Sequence, residues 1–283
     1  MAKKAKYDVV VIGGGHAGIE ASLSAVRMGC STLLVTMSRE AIGRMSCNPA
    51  IGGTAKGQLV REIDALGGEM GKLADATGIH FRMLNTSKGP AVWSPRCQND
   101  RELYSLEAQR VLSETPGLDI LEDGIHRVNV VGREGDVGYR VRSISTSSGR
   151  EVECRAIVLS AGTFLRALMH TGLTSNEGGR YGERASNGIT GCLAEYGIVS
   201  GRLKTGTPPR IDLHSINLAE VEAQPPDEVP APFSYQNEQV VNKQIDMYLT
   251  HTSKQTHTIL GEGFDPSPMF TGRIKGTGPR YCP

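Results

Sequence analysis

The chain has 283 residues, 39% of them hydrophobic, with 35 glycines, enough to bury one or two cores in a turn-rich globular protein. Its formal net charge of +1 excludes a whole-molecule field as the means of holding a polyanion, so any nucleic-acid role needs a local patch. Residues 1–6 are charged without the apolar stretch of a signal peptide, and no run reaches the length of a membrane span; a cytoplasmic protein with no membrane role is expected.

Tyr7, Asp8, Val9, Val10, Val11 and Ile12 predict an inner strand of a parallel sheet, and Gly13, Gly14, Gly15, His16, Ala17 and Gly18 follow it as a G-x-G-x-x-G turn. The glycines permit a tight turn and close approach of a pyrophosphate. The next helix, expected over 17–26 and ended by Gly29, presents amide donors and a partial positive charge. A second apolar strand over 31–36 completes the βαβ unit. The acid that usually holds a ribose at the end of the second strand is missing, since that place is Thr36 or Met37 with Glu40 a few residues late. The turn therefore predicts a bound dinucleotide and leaves FAD and NAD open.

Leu59, Val60, Ile63, Leu66 and Met70 fall at helical spacing, as do Leu103, Leu106, Val111 and Leu112, predicting two surface helices with these residues as buried faces. Short strands over 118–121 and 125–131, with period-two alternation over 139–144, predict a β-meander near 118–150 laid over the sheet. Residues 156–160 read as another inner strand. It runs into Ala161, Gly162 and Thr163, a second small-residue turn suited to the same dinucleotide. Prolines over 203–232 mark a place where the chain leaves its first domain, and 240–248 and 250–259 read as β-like or mixed. The chain closes at 276–283 with no strand or capped helix after a glycine-rich turn, as expected for the N-terminal portion of a longer protein.

The six cysteines, Cys30, Cys47, Cys97, Cys154, Cys192 and Cys282, form no C-x-x-C, which argues against a zinc knuckle or a thioredoxin-like dithiol and predicts free thiols. Cys30 and Cys154 lie at or beside strands and read as core residues. Cys47 and Cys282 lie in loops punctuated by glycine and proline and are the candidates for chemistry. A loop thiolate favoured by Arg44, by Lys56 or by helix-start amides can add to carbon 6 of a uracil, or serve as an acid or base. Lys88, Arg96, Arg202, Lys204, Arg210, Arg273, Lys275 and Arg280 sit in Gly- or Pro-containing loops, open to phosphate or carboxylate contact or to plain solvation. His16 reads as a packing and orienting group, and the seven histidines show no metal-ligand spacing, so no metal is expected.

Met45, Ser46, Cys47, Asn48, Pro49, Ala50, Ile51, Gly52 and Gly53, together with Lys56, Gly57 and the stretches 61–68, 87–92, 202–210 and 278–283, resemble the GidA/MnmG family. Its members are FAD enzymes that modify the wobble uridine of certain tRNAs. The similarity runs over essentially the whole chain, and the Cys47 block is far more specific than the nucleotide turn.

The resemblance implies an α/β fold: a Rossmann-like FAD-binding domain with a β-meander (1–204), then the beginning of an inserted mixed α/β NAD-binding domain (205–283), incomplete at the C-terminus. It implies FAD, NADH and methylenetetrahydrofolate as cofactors and co-substrate, and a GTPase partner. The product carries an aminomethyl or carboxymethylaminomethyl group on carbon 5. By matching position, Gly13, Gly14, Gly15, His16, Ala17 and Gly18 would hold the FAD pyrophosphate, Ile125 would present backbone to the adenine, and Ser186 would touch the flavin cofactor. Gly278, Pro279, Arg280, Tyr281, Cys282 and Pro283 resemble the start of the NAD-binding stretch, and Cys47 and Cys282 resemble two cysteines needed for activity. A homodimer that joins the GTPase in a heterotetramer is also implied. The other readings are a generic FAD/NAD oxidoreductase, a non-catalytic binding piece, and a folate- and FAD-dependent tRNA uridine methyltransferase, which should lack the Cys47-Asn48-Pro49-Ala50 block. The chain alone is expected to bind FAD poorly and to be inactive.

Overall fold

Apolar residues on both faces make a strand that must be covered on both sides, and β1 (Lys6–Ile12) and β2 (Thr32–Thr36) are such strands, with Tyr7, Val10, Val11, Ile12 and all five residues of β2 buried. Between them runs α1 (His16–Arg27), which buries Ile19 and Leu23. The structure, a computed structural model, describes residues 6–132, 138–206, 208–274, 276 and 278. In chain order there follow β3 (Ala50–Gly52), α2 (Lys56–Ala65), α3 (Met70–Thr77), β4 (Gly78–Leu84), β5 (Ser94–Asn99), α4 (Arg101–Glu114), β6 (Leu118–Glu122), β7 (Ile125–Gly132), β8 (Tyr139–Thr146) and β9 (Glu151–Leu159).

Six strands form one sheet in the order β6-β2-β1-β9-β8-β7. The first four are parallel, with Val10 of β1 opposite Leu33 of β2 and Ile157 of β9. The expected meander does not lie over this sheet. Its first segment, β6, is the parallel edge strand beside β2, and β7 and β8 join antiparallel through the start of β9, where Glu153 pairs with both Ser143 and Lys6.

A second, antiparallel sheet has the order β3-β5-β4. One core joins it to α1 and α4, built from Val11, Ile19, Leu34, Phe81, Tyr104 and Leu112 among others. The buried faces of the helices differ from those the apolar spacing predicts. The spacing over 59–70 spans two helices. In α2 the buried residues are Gly57, Val60 and Asp64, while Leu59, Ile63 and Leu66 are exposed. In α4 they are Tyr104, Ser105, Ala108 and Leu112, with Leu103 and Leu106 exposed. Both helices turn glycine, small and polar groups inward for close packing. Gly57 has backbone and ring of Pro95 within 3 Å of where a Cβ would stand.

The chain packs as two units, residues 1–162 with Pro225–Asp246, and Thr163–Gln224 with Met247–Pro283. In the first unit, the returning strap 225–246 is bound by buried carboxylates. Asp75 accepts from the Phe233 and Ser234 amides (2.7 and 2.9 Å) and from Asn237, and Asp64 accepts from the Tyr235 amide (2.8 Å). Phe233 itself is fully buried. Burial pushes the Asp75 carboxyl above its ordinary range, against the pull of its hydrogen bonds and helped by the charge of Asp64. The folded form therefore holds this proton more tightly than the unfolded chain, so Asp75 adds stability as pH falls towards 3.8 and loses that contribution as pH rises through its folded pKa.

The second unit contains β10 (Leu168–Thr171) and β11 (Thr174–Glu177) as a hairpin, α5 (Ile189–Glu195), β12 (Glu222–Gln224) paired with β13 (Met247–Leu249), and α6 (Lys254–Glu262). The stretch 250–259, read as β-like or mixed, is instead occupied from Lys254 by α6, because Ser253 and Thr256 form a reciprocal capping box that starts a helix despite the β-branched residues within it.

Candidate functional site

The turn after β1 is shaped by what glycine lacks. Gly13 has φ +111, and a Cβ there would stand 2.4 Å from the Ser160 carbonyl oxygen; at Gly18 it would stand 1.8 Å from the Gly13 carbonyl oxygen. Gly14 backs onto Ile42 and Thr36. Gly15 differs: nothing lies within 4 Å of its Cβ position, so open space faces it. Gly15 also begins α1 with no side-chain cap and no acidic residue in the first turn, which leaves the positive end of the helix to an external anion. A pyrophosphate fits this cradle in charge and in room. His16 packs edge-on against the buried Tyr104 ring (centroids 5.4 Å apart), its Nδ1 3.3 Å from the hydroxyl.

Several segments meet at this end of the sheet. The Gly13 amide donates to the Val35 carbonyl (2.8 Å), the Asp123 amide to that of Thr36 (2.9 Å), and the Gly43 amide to that of Gly14 (3.0 Å). The Thr36 hydroxyl is spent on the Ser38 carbonyl. The carboxylate nearest in register to the end of β2 is Glu122 on β6, paired with Thr36 and accepting from the Arg39 amide (3.2 Å). The pairing of β2 with β6 is what brings a carboxylate to this end of the sheet. Ile125 opens β7 three residues beyond, buried and paired with Thr146.

Cys47 is half-buried and lies four residues after Gly43, in the segment that leaves the glycine turn for β3. Arg44, a candidate for favouring its thiolate, directs Nη2 to the Glu40 carbonyl. Cys97, Cys154 and Cys192 are buried, and burial pushes the Cys154 thiol up to about 11 and Cys97 higher still. Burial thus disfavours the thiolate form of both. Cys30 is half-buried but precedes β2, at the end of the parallel sheet opposite the glycine turn. Among the described residues Cys30 and Cys47 are the half-buried cysteines, and of the two it is Cys47 that follows the Gly43 contact with the glycine turn.

In the second unit, Ser186 is half-buried, its amide donating to Phe164 (2.8 Å) and its carbonyl accepting from Arg166 (2.9 Å). The stretches around 202–204 and 276–278 come together, Gly278 lying against Lys204. Arg202 and Arg210 are exposed, Lys204 reaches the Met269 sulfur, and Arg273 donates to the Leu173 carbonyl (2.9 Å). Pro279, Arg280, Tyr281, Cys282, Pro283 and Lys275 lie outside the described residues. Among the described residues no group of His, Cys, Asp and Glu is placed to hold a metal, and no helix is long and apolar enough to cross a membrane.

The profile of the family described as glucose inhibited division protein A matches residues 8–283. Similar proteins include the tRNA uridine 5-carboxymethylaminomethyl modification enzyme MnmG of Chlorobaculum tepidum, 51% identical over 279 residues that make up 98% of this chain and 44% of that protein. The enzyme of the same name from Geobacter sulfurreducens is 48% identical, over 98% of this chain and 43% of its own. The structure of Aquifex aeolicus GidA superposes with a TM-score of 0.88 at 42% identity, over 98% of this chain and 46% of that one. The chain spans less than half the length of the relatives it matches. On the profile match and these similarities, the chain belongs to the glucose inhibited division protein A family, GidA/MnmG.

Proposed function

We propose that this chain carries the FAD-binding part of an enzyme that places an aminomethyl or carboxymethylaminomethyl group on carbon 5 of the tRNA wobble uridine. It would work in the cytoplasm as a homodimer that joins a GTPase in a heterotetramer. The names of the relatives support the tRNA substrate. The observation that carries the reading is the open, uncapped glycine turn, to which Gly43, four residues before the half-buried Cys47, is hydrogen-bonded through the Gly14 carbonyl. Bound FAD and NADH supply the redox capacity and methylenetetrahydrofolate the carbon. Residues 1–204 take the FAD role and 205–283 begin the NAD-binding part.

The residues of the chain divide the work. The 13–18 turn and the start of α1 hold the pyrophosphate, Ile125 offers backbone to the adenine, and Ser186 contacts the flavin cofactor. The stretch 278–283 begins the nicotinamide nucleotide site. The Cys47 thiolate adds to carbon 6 of uracil, forming a C–S bond as the C5=C6 electron pair moves to carbon 5 and the carbonyl at carbon 4. Carbon 5 then bonds the methylene carbon carried by the folate. A base removes the proton on carbon 5 as the bond from that methylene to the folate nitrogen breaks and tetrahydrofolate leaves, and an amine, ammonia or glycine, adds to the resulting exocyclic methylene as the C5=C6 double bond re-forms and the thiolate departs. Cys282 is the second cysteine we propose the activity needs.

The test is complementation. In cells lacking their own enzyme of this family, the complete protein should restore the 5-substituted wobble uridine in tRNA digests. A digest that shows only 5-methyluridine gain would favour the methyltransferase reading, and no new nucleoside would overturn both.

A further inference from the structure

We propose that the loops at one end of the β3-β5-β4 sheet form a docking surface for single-stranded RNA, in which the Trp93 ring stacks on an unpaired base while Lys56, Lys88 and Arg96 hold flanking phosphates. The proposal rests on the tRNA reading above and names a place for it. The antiparallel register sets Gly52 opposite Arg96 and Leu84 opposite Ser94, so the end of β3, the end of β4 and the start of β5 share one end of the sheet. The loops there are tied together. Asn85 Nδ2 donates to Thr54 Oγ1 and to the Val92 carbonyl (both 3.3 Å), Gln58 Nε2 to the Trp93 carbonyl (3.0 Å) and Ser94 Oγ (3.1 Å), and the Gly53 amide to the Pro95 carbonyl (2.8 Å).

On this rigid base sits the chain's one tryptophan. Its indole N–H is fixed on the Thr86 carbonyl (3.2 Å), yet the residue is 43% exposed. A held, solvent-facing indole loses little freedom when a base stacks on it, and every base has a face to offer. The charge around it is one-sided. Residues 50–61 and 80–98 contain five Lys and Arg and no carboxylate, in a chain whose total charge is +1. Arg61 and Arg82 are spent on the strap carbonyls of Pro232 and Pro225, and the Asp227 carboxylate is engaged by the Met83 amide (2.8 Å). Lys56 and Lys88 are exposed, and Arg96 is half-buried. Burial disfavours the Arg96 charge, and among the described residues its guanidinium has neither hydrogen bond nor ion pair. A phosphate oxygen would supply the missing acceptor. An acidic polypeptide would satisfy the cations but leave the indole face unused.

The test uses Trp93 as its own reporter. A labelled RNA stem-loop with an unpaired loop, added to the 283-residue chain, should quench tryptophan fluorescence as its anisotropy rises. A fully paired RNA of equal length should not. Trp93→Ala, Lys88→Gln and Arg96→Gln should each weaken binding about tenfold, and Lys88→Gln should reduce the slope of log K against log salt by about 0.7. Thermal melts check that each variant is folded. Binding by anisotropy with unquenched Trp93 and unaffected variants would overturn this surface while leaving the tRNA reading standing; absence of any RNA binding would overturn the surface, and the tRNA reading would fall only if complementation by the complete protein also failed. Equal displacement of the RNA by polyglutamate would overturn it in favour of an acidic protein partner.

Discussion

Phe233→Ala is expected to lower the stability of the first packing unit by about 3–5 kcal/mol, the cost of emptying a fully buried aromatic site. The Phe233 ring packs against Gly52, where a Cβ would stand 2.6 Å from ring carbon Cζ, and Gly52 has no side chain to move into the space the ring would leave. Asp75→Ala should cost about 3 kcal/mol by a different route, leaving the Phe233 and Ser234 amides without acceptors in a buried place. The two changes act on the same strap, so their combined effect should fall short of the sum. Denaturant midpoints and limited proteolysis within 225–246 read this out. A strap that stays protease-resistant in Asp75→Ala, with an unchanged midpoint, would show that the carboxylate does not hold it.

Gly18→Ala and Gly15→Ala should separate folding from ligand binding. A Cβ at Gly18 would stand 1.8 Å from the Gly13 carbonyl oxygen, and that carbonyl cannot retreat because Ser160 Oγ bonds it (3.2 Å) from the end of β9. The turn must open, at a cost of about 1–3 kcal/mol, and flavin binding should be lost with it. At Gly15 a Cβ meets nothing within 4 Å, so alanine should cost under about 1 kcal/mol of stability. It should still weaken FAD binding at least tenfold by occupying the space in front of the helix amides. FAD titration of folded Gly15→Ala that matches the unsubstituted protein would place the pyrophosphate elsewhere.

The first βαβ unit was legible because local chemistry decides it: an apolar run, a turn in which Gly13 and Gly18 have no room for a Cβ, and a helix that buries Ile19 and Leu23. The β3-β5-β4 sheet was not. Its strands carry Arg82, Arg96, His80 and Gln98, and they are held by the antiparallel register and by the strap rather than by their own pattern. The strap is invisible for the same reason, since Asp64 and Asp75 meet amides some 160 to 170 residues away. The buried face of α2 misled periodicity because Gly57 and Asp64 point inward where Leu59 and Ile63 were expected. At the candidate site, Cys47 was found from its loop and its family block. The structure added what separates it from the other described thiols: burial for three of them, and the opposite end of the sheet for Cys30.

The proposed role of Cys47 in chemistry on uridine, with flavin held by the 13–18 turn, can be tested directly. The most direct measurement compares the complete protein with its Cys47→Ser and Cys97→Ser variants, scoring visible flavin absorbance after purification and the modified nucleoside in tRNA digests. Cys47→Ser should retain its flavin and lose the 5-substituted wobble uridine, while Cys97→Ser, altering a thiol buried in the core, should still produce it. Normal levels of that nucleoside with Cys47→Ser would contradict the account.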